Sequence, residues 1–214
     1  MYVLTHTLAY NVFATSMIPT MNDENPFALF ADWFEKASQA VIDKPHAVTL
    51  ATVASDGRPS ARMVLLSSFD QRGFVFHTNY ESKKGLDIEK NSRVALVFWW
   101  DPLGRQVRIE GTASPTTGAE ADAYFAKRPR GSQLSAWASA QSRPIASRAE
   151  LEERMRTLER RYQDQAVPRP PHWGGYRVVP DAFEFWENRE NRLHERRRFE
   201  REQNGAWRRL QLAP

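Results

Sequence analysis

The chain contains no cysteine among its 214 residues. This absence excludes disulfide bonds, thiolate catalysis and metal sites built on cysteine, and it fits a reducing compartment, so a cytoplasmic protein is expected. The five histidines do not show the HExxH spacing or a similar one. The sequence therefore predicts no protein-bound metal.

Long hydrophobic runs are also missing, so no membrane partner is expected. Residues 1–20 carry no lysine or arginine, since the first is Lys36, and they lack the positive region of a secretory signal. Met17 and Met21 leave open a start further downstream. Residues 1–24 are interpreted as a disordered N-terminal extension, and 25–214 as a single domain.

Neither GxGxxG nor GxxxxGK[ST] occurs in the chain, which gives no indication of a Rossmann or P-loop nucleotide site. What the chain does have is a net charge of +4. A basic balance favours anionic partners, and both phosphorylated small molecules and nucleic acids qualify.

The apolar spacing predicts an amphipathic helix over residues 26–43, with Pro26 in its first turn. The pattern then indicates strands over 46–54, 60–68, 74–78, 93–100, 106–113, 174–179, 183–186 and 207–212, with 93–100 buried on both faces. Further helices are expected over 82–90, 117–127 and 148–163. Antiparallel strands with helices attached make an α+β fold, most economically a closed or partly closed barrel that hides its strand edges.

The segment from Phe183 to Arg196 is the most informative for function. If it is one extended strand, Arg192, His194 and Arg196 point to the same side, because side chains alternate between faces. Two permanent cations around an imidazole, with Trp186 upstream, suit a planar anionic ligand. An exposed basic strand is the alternative interpretation.

Three other segments carry candidate binding groups. Arg62 lies in a predicted strand, and the pair Lys83-Lys84 opens a predicted helix, where phosphate binds well. The stretch from Tyr124 to Ser132 is basic and contains two hydroxyl groups. Arginine side chains recognise phosphate through bidentate hydrogen bonds.

Matching motifs cover nearly the whole chain, from about Asn25 to Pro214. They are RMVLL, GFVFHTN, ESKKG, RQVRIEG, YFAKRPRGSQLSAWAS, QSRPI, HWGGYRV and FEFW followed by RLHER. By their order and spacing, the chain resembles the pyridoxine (pyridoxamine) 5′-phosphate oxidase family. The resemblance implies an antiparallel split β-barrel with peripheral helices, and a homodimer that binds FMN in a cleft between its subunits.

The resemblance also implies which residues bind the flavin. Arg62 and Lys84 would hold the FMN phosphate, with Ser142 nearby. The backbone of one strand would follow the isoalloxazine ring and the ribityl chain, at Met63, Val64, Leu65 and Leu66. The other positions that match flavin contacts are His77, which replaces a tyrosine frequent in the family, and Thr78, Lys83, Gln106, Gln141, Trp186 and Arg196.

For the substrate, the resemblance implies that Tyr124, Arg128 and Ser132 bind the phosphate group of pyridoxine or pyridoxamine 5′-phosphate. Arg192 and His194 would flank the pyridine ring as catalytic residues, and His194 could donate or relay a proton near neutral pH. In the family reaction a hydride passes from C4′ to the flavin. Oxygen reoxidises the flavin and gives H2O2, and the product is pyridoxal 5′-phosphate.

Two positions near the substrate depart from the family pattern. Ser67 stands at the position of a lysine that binds phosphate, and losing one charge-assisted contact costs about 1.5–3 kcal/mol unless Lys127 or Arg130 compensates. Glu187 stands where an uncharged residue is usual. Its carboxylate is expected to repel phosphate or to pair with Arg192.

Three functions follow from these observations. The first is the oxidation of B6 phosphates. The second, favoured by Ser67 and Glu187, is a related flavin oxidase with another substrate, of the phenazine-biosynthesis type. The third is a non-enzymatic nucleic-acid binder, suggested by Arg192, Arg196, Arg197, Arg198 and Arg201. Acidic residues interrupt that basic run, so no nucleic-acid partner is expected.

Overall fold

The computed structural model describes residues 24–40 and 43–214. The predicted extension at 1–24 lies outside the described residues, except for Glu24. In the described part, the helices are α1 (Pro26–Ala40), α2 (Lys83–Lys90), α3 (Gly118–Ala126), α4 (Arg130–Ala138) and α5 (Arg148–Arg161). The strands are β1 (Ala47–Val53), β2 (Pro59–Asp70), β3 (Gly73–Asn79), β4 (Arg93–Trp100), β5 (Arg105–Pro115), β6 (Trp173–Glu187), β7 (Glu195–Arg201) and β8 (Trp207–Gln211). None of these helices is both long and apolar enough to cross a membrane.

Six strands close into an antiparallel barrel in the order β3-β2-β1-β4-β5-β6, and β6 pairs back onto β3. The strands β7 and β8 continue the sheet beyond the barrel. The same edge of β6 closes the barrel and extends the sheet. Its residues 173–178 pair with β3, and its residues 182–187 pair with β7. Closure leaves the barrel strands without open edges. The predicted α+β split-barrel class is confirmed.

The core forms where α1 packs on the barrel. Asn25 begins this helix by accepting the backbone N–H of Phe27 at 2.9 Å. Phe30, on the buried face of α1, meets the rings of Phe69, Phe74 and Phe98 at centroid distances of 4.9, 4.8 and 5.1 Å. The described helix ends at Ala40, short of the predicted end at residue 43. Residues 41–42 lie outside the described part.

The prediction that the strand at 93–100 is buried on both faces is wrong. Its side chains alternate between buried and more exposed, and Trp99 is 51% exposed while Phe98 and Trp100 are buried. A barrel strand has one inner and one outer face, so even a nearly continuous apolar strand buries only alternate residues inside one chain.

The two predicted strands at 174–179 and 183–186 are in fact one, β6. Gly111 of β5 pairs with Pro180, and Glu110 pairs with Ala182, so Asp181 is the extra residue of a β-bulge. The bulge explains why a proline and an aspartate interrupt the apolar pattern without ending the strand. The helix α4 was not predicted, because its sequence, RGSQLSAWA, begins with residues typical of a loop.

Candidate active site

Arg62 and Lys84 lie at the end of the barrel where α2 packs on β1. Arg62 reaches the hydroxyl groups of Thr52 and Ser60, both at 2.7 Å. The buried carboxylate of Asp87 lies 3.7 Å from Arg62 and 3.0 Å from Lys83. The predicted flavin residue Lys83 is therefore within hydrogen-bond distance of Asp87. Arg62 lies farther from the same carboxylate and donates its short hydrogen bonds to the two hydroxyl groups.

Three neutral oxygen atoms surround Nζ of Lys84, at 3.2 Å on Thr78, 3.1 Å on Ser82 and 2.9 Å on Gln141. Burial, and next the nearby charge of Arg62, lower the pKa of Lys84 to about 8. The two cations thus destabilise each other, and an anion between them would relieve that repulsion. Residues of this chemistry fit a phosphate group. The structure brings four of the predicted flavin residues together here: Arg62, Thr78, Lys84 and Gln141.

A second group of predicted residues surrounds His77, which follows Phe76 and precedes Thr78 on β3. The ring of Tyr124 stacks on the His77 ring at 3.7 Å and 5°, and Trp173 lies nearly parallel at 5.3 Å. The guanidinium of Arg128 lies over the Trp173 ring at 4.5 Å. The two groups lie at neighbouring positions of β3, where His77 and Thr78 project to opposite faces of the strand.

Ser67 belongs to the second group. Its Oγ lies 2.8 Å from Nδ1 of His77. The serine that replaces a lysine therefore contacts the histidine that replaces a tyrosine. Burial, and next the charge of Arg128, lower the pKa of His77 to about 4. The suggested compensation by Arg130 finds no support, because its guanidinium binds the backbone carbonyl oxygens of Gln165 and Tyr162.

The other predicted positions near these groups differ in how far they are buried. Ser132 lies in the first turn of α4 and is half-buried. Ser142 is exposed, with a φ of 71°. In β2 the side chains of Met63 and Leu65 are exposed, Val64 is half-buried and Leu66 is buried.

A third group forms a row across four adjacent strands. Trp99 pairs with Gln106, Gln106 with Trp186, and Trp186 with Arg196. Residues directly opposite each other project to the same face of a sheet, and the exposure of Trp99 identifies that face as the outer one. Gln106, Trp186 and Arg196 therefore share one surface, as a common ligand would require.

The predicted extended strand through residue 196 is wrong. Strand β6 ends at Glu187, a 3₁₀ turn follows at Glu190–Arg192, and Asn191 and Arg192 have φ of 56° and 62°. The alternation of an extended strand therefore does not set the direction of the His194 side chain. Its ring lies 4.5 Å from Trp186, and its Nδ1 accepts the backbone N–H of Arg189 at 3.2 Å. Arg192 is exposed at the turn.

Glu187 does not pair with Arg192 as expected. Its carboxylate accepts hydrogen bonds from Arg105 at 2.9 Å and from Arg189 at 2.9 Å. Two arginines therefore neutralise it. The buried carboxylate of Glu184 similarly binds Arg196 at 2.8 Å and Arg108 at 3.1 Å. Arg196 and Arg198 of the basic run near the end of the chain are thus in ion pairs.

His77 and Thr78 pair with the beginning of β6, whereas Trp186 of the third group lies near its end. This strand has 15 residues, or roughly 45–50 Å at about 3.3 Å per residue, and it carries Trp173 at its beginning and Trp186 at its end. A cleft of about 610 Å³ lies between α4 and α5, and no predicted site residue lines it. The row of Gln106, Trp186 and Arg196 thus lies at a different place on the barrel from the residues around His77 and Thr78.

Sequence reasoning missed several residues that hold these groups in place. They are Thr52, Asp87, Arg105, Trp173 and Arg189. Trp173 lies within a quoted motif, HWGGYRV, and could have been found there. The roles of Asp87, Arg105 and Arg189 depend on contacts between distant strands or within an irregular turn, which no local pattern reveals.

Comparison with known proteins links both ends of the chain to one family. Residues 34–164 match the family described as pyridoxamine 5′-phosphate oxidase, and residues 173–214 match the pyridoxine 5′-phosphate oxidase C-terminal dimerisation region. The chain is 59% identical over 192 residues to a pyridoxine/pyridoxamine 5′-phosphate oxidase of Rubrobacter xylanophilus, covering 90% of this chain and 88% of that protein. It is 55% identical over 190 residues to an enzyme of the same name from Myxococcus xanthus, covering 89% and 92%.

Two solved structures resemble the fold. PhzG from Burkholderia lata 383, in complex with tetrahydrophenazine-1-carboxylic acid, has a TM-score of 0.85 and 34% identity, covering 94% of this chain and 99% of that one. A pyridoxamine 5′-phosphate oxidase-related, FMN binding protein from Nostoc punctiforme has a TM-score of 0.71 at 15% identity, covering 90% and 99%. The second likeness concerns the fold alone.

Proposed function

Because this chain belongs to the pyridoxamine 5′-phosphate oxidase family and is an oxidase, we propose that it converts pyridoxine 5′-phosphate or pyridoxamine 5′-phosphate to pyridoxal 5′-phosphate, with FMN as cofactor, O2 as oxidant and H2O2 as product. The observation that carries this proposal is the presence of two groups suited to phosphate at neighbouring positions of β3. Arg62 and Lys84 form one, and Tyr124 and Arg128 lie beside it around His77.

The FMN phosphate is assigned to Arg62 and Lys84, with Thr78 and Gln141 fixing the lysine. This assignment is supported by the buried position of Lys84 and by its neutral oxygen neighbours. Charge-assisted hydrogen bonds to phosphate are worth about 1.5–3 kcal/mol each. Both cations together would hold the cofactor firmly.

The isoalloxazine ring is assigned to the third group, Gln106, Trp186 and Arg196, of a second copy of the chain. The support is that this row lies on the outer face near the end of β6, whereas Thr78 of the phosphate group pairs with Gly174 near the beginning of that strand. A homodimer with FMN between its subunits unites the two. The exposed apolar side chains Met63, Leu65 and Trp99 suit a surface that a second copy covers.

The substrate phosphate is assigned to Tyr124, Arg128 and Ser132, and the pyridine ring to Arg192 and His194. When bound, the flavin supplies the redox chemistry by accepting two electrons from the substrate and passing them to O2. The neutral ring of His194 carries its hydrogen on Nε2, because Nδ1 accepts from Arg189. His194 can therefore hold or donate a proton at Nε2, while Arg192 places a permanent positive charge beside the ring.

A phenazine-type flavin oxidase is the second candidate. It is favoured by the likeness to PhzG, with a TM-score of 0.85, and by the serine at position 67. The pairing of Glu187 with Arg105 and Arg189 removes one of the two arguments for it, since that carboxylate is neutralised.

The experiment is turnover by the purified, FMN-loaded protein. Pyridoxine 5′-phosphate should bleach the flavin under anaerobic conditions and release H2O2 in air, whereas unphosphorylated pyridoxine should react far more slowly. Tetrahydrophenazine-1-carboxylic acid serves as the competing substrate. Turnover of the phenazine compound, with no turnover of the B6 phosphate, would refute the proposed function and favour the phenazine-type oxidase.

A further inference from the structure

The hydrogen bond between Ser67 and His77 joins two adjacent strands at the predicted substrate-phosphate site. Oγ of Ser67 on β2 lies 2.8 Å from Nδ1 of His77 on β3. The imidazole is held flat against Tyr124, at 3.7 Å and 5°. Its other edge faces β6, where Gly175 pairs with His77, and a Cβ at Gly175 would lie only 3.0 Å from Nε2. The ring is therefore fixed, and Ser67 is its polar partner.

This contact controls what the Ser67 hydroxyl can offer to a ligand. A hydroxyl group has one hydrogen to donate and two lone pairs. If Nδ1 lacks a hydrogen, it accepts the Ser67 hydrogen, and none remains for a phosphate. If Nδ1 carries a hydrogen, it donates to Oγ, and the Ser67 O–H can then point to a phosphate oxygen. The state of His77 thus decides whether Ser67 is a phosphate donor.

The charged and titratable groups that face His77 come from α3 and the residues that follow it, while β6 contributes Trp173 and Gly175 there. Arg128 opposes a positive charge on the imidazole and Glu120 favours one, while burial has the largest effect and keeps the ring neutral at pH 7. Tyr124 contributes its stacked phenol. An anion bound at Arg128 would offset the charge that most opposes a protonated His77. Phosphate binding and proton uptake therefore favour each other.

We propose that Ser67 and His77 act as one proton-dependent donor to the substrate phosphate, in which His77 donates through Nδ1 to Ser67 and Ser67 donates to the phosphate. The pair is a specificity-determining device that this chain has in place of a permanent cation. The proposal rests on the proposed function, because it takes the phosphate between Tyr124 and Arg128 to be that of a B6 compound.

The first test follows His77 directly. Histidine signals of the ¹⁵N-labelled, FMN-loaded protein are titrated by NMR with and without saturating pyridoxal 5′-phosphate, and the His77→Asn variant assigns the resonance. The pKa of His77, about 4 without the ligand, should rise with the ligand bound to at least the pH of the binding measurements, and Nδ1 should carry a hydrogen in the complex. An unchanged titration curve with the ligand bound would overturn the proposal.

The second test separates a donor role from a merely structural one. Equilibrium binding of pyridoxal 5′-phosphate and of pyridoxal is measured for the wild type, Ser67→Ala, His77→Phe and the double variant, all FMN-loaded. His77→Phe keeps a flat ring against Tyr124 but has no donor. Each single variant should bind the phosphorylated ligand about three- to tenfold more weakly, leave pyridoxal unaffected, and cause no further loss when combined.

Equal weakening for both ligands, or additive losses in the double variant, would show that the pair only supports the fold. Ser67→Lys gives a matched comparison, because it supplies a permanent cation and should make the affinity independent of His77. If the wild type itself neither oxidises pyridoxine 5′-phosphate nor binds pyridoxal 5′-phosphate, the proposed function fails, and this inference fails with it. Wild-type binding with unchanged variants overturns the inference alone.

Discussion

Arg189 joins Glu187 to His194: its guanidinium donates to the Glu187 carboxylate at 2.9 Å, and its backbone N–H donates to Nδ1 of His194 at 3.2 Å. The carboxylate is also held by Arg105 from β5. The irregular turn after β6 is thereby tied to the barrel. Glu187, which looked like an obstacle to phosphate binding, is better understood as a positioning residue for the proposed catalytic histidine.

Glu187→Gln should therefore lower kcat by about fivefold, equivalent to about 1 kcal/mol, with little change in KM. The charge that orients Arg189 is lost, while the size of the side chain is kept. Glu195→Gln is the control, since Glu195 lies farther from Arg189, at 3.5 Å, and is half exposed. Equal effects of both substitutions would argue against this role.

Arg62→Ala should reduce FMN affinity by about ten- to a hundredfold, because one charge-assisted contact of about 1.5–3 kcal/mol is removed. The measurement is flavin content after purification, followed by titration with FMN. Arg58→Ala is the matched control, as Arg58 lies at the preceding turn in an exposed ion pair with Asp56. Full flavin occupancy in Arg62→Ala would refute the assignment.

The pKa of Lys84, about 8 in the folded protein against an ordinary value of 10.5, predicts two effects of pH. Above pH 8 Lys84 must take up a proton to bind an anion, so FMN affinity should fall by up to ~10-fold per pH unit. Between pH 8 and 10.5 the unfolded chain holds more protons at this group than the folded chain. Its contribution to the free energy of unfolding of the FMN-free protein therefore rises with pH across that window.

Lys84→Arg separates these effects from the titration of other groups. The arginine stays charged throughout, so its FMN affinity should be nearly constant between pH 7 and 9.5. Fluorescence titration of FMN at several pH values measures the affinity, and urea unfolding measures the stability. If FMN affinity and stability change with pH in the same way in the wild type and the variant, the titrating group is not Lys84.

Arg192→Ala should lower kcat by about a hundredfold while leaving bound FMN in place, because a charge beside the reacting ring is lost. Arg201→Ala serves as the control, since Arg201 lies exposed at the end of β7. Flavin absorbance and steady-state kinetics are measured on the same samples. Retained turnover, or loss of flavin, would remove Arg192 from the catalytic role.

The regular parts of this fold could be predicted from the sequence. The Ser82 cap of α2 and the spacing of Phe27, Phe30 and Trp33 in α1 are local signals, and both elements formed as expected. The inner and outer faces of β4 could not be recognised, because barrel closure decides which apolar residues are buried. Trp99 reads as core in the sequence and is exposed in the chain.

The candidate site divides in the same way. Arg62 was recognisable as an arginine in a predicted strand and Lys84 as a lysine at a predicted helix start, and the structure brings them together where α2 packs on β1. The path of the chain through Arg192 and His194 was not predictable from alternation, because Asn191 and Arg192 adopt left-handed backbone conformations in the turn. The pairing of Glu187 likewise depends on Arg105, which is 82 positions away in the chain.

The outward-facing row of Gln106, Trp186 and Arg196 has a consequence for mixed assemblies. If each site takes its phosphate cations from one copy and this row from another, a lesion in the cations of one copy and a lesion in the row of the other fall in the same site. An inactive subunit carrying Arg62→Ala and an inactive subunit carrying Trp186→Ala would then form a heterodimer with both lesions in one site and the other site intact. At an FMN concentration too low to load Arg62→Ala, the two variants, unfolded and refolded together, should regain up to about a quarter of the wild-type activity per subunit.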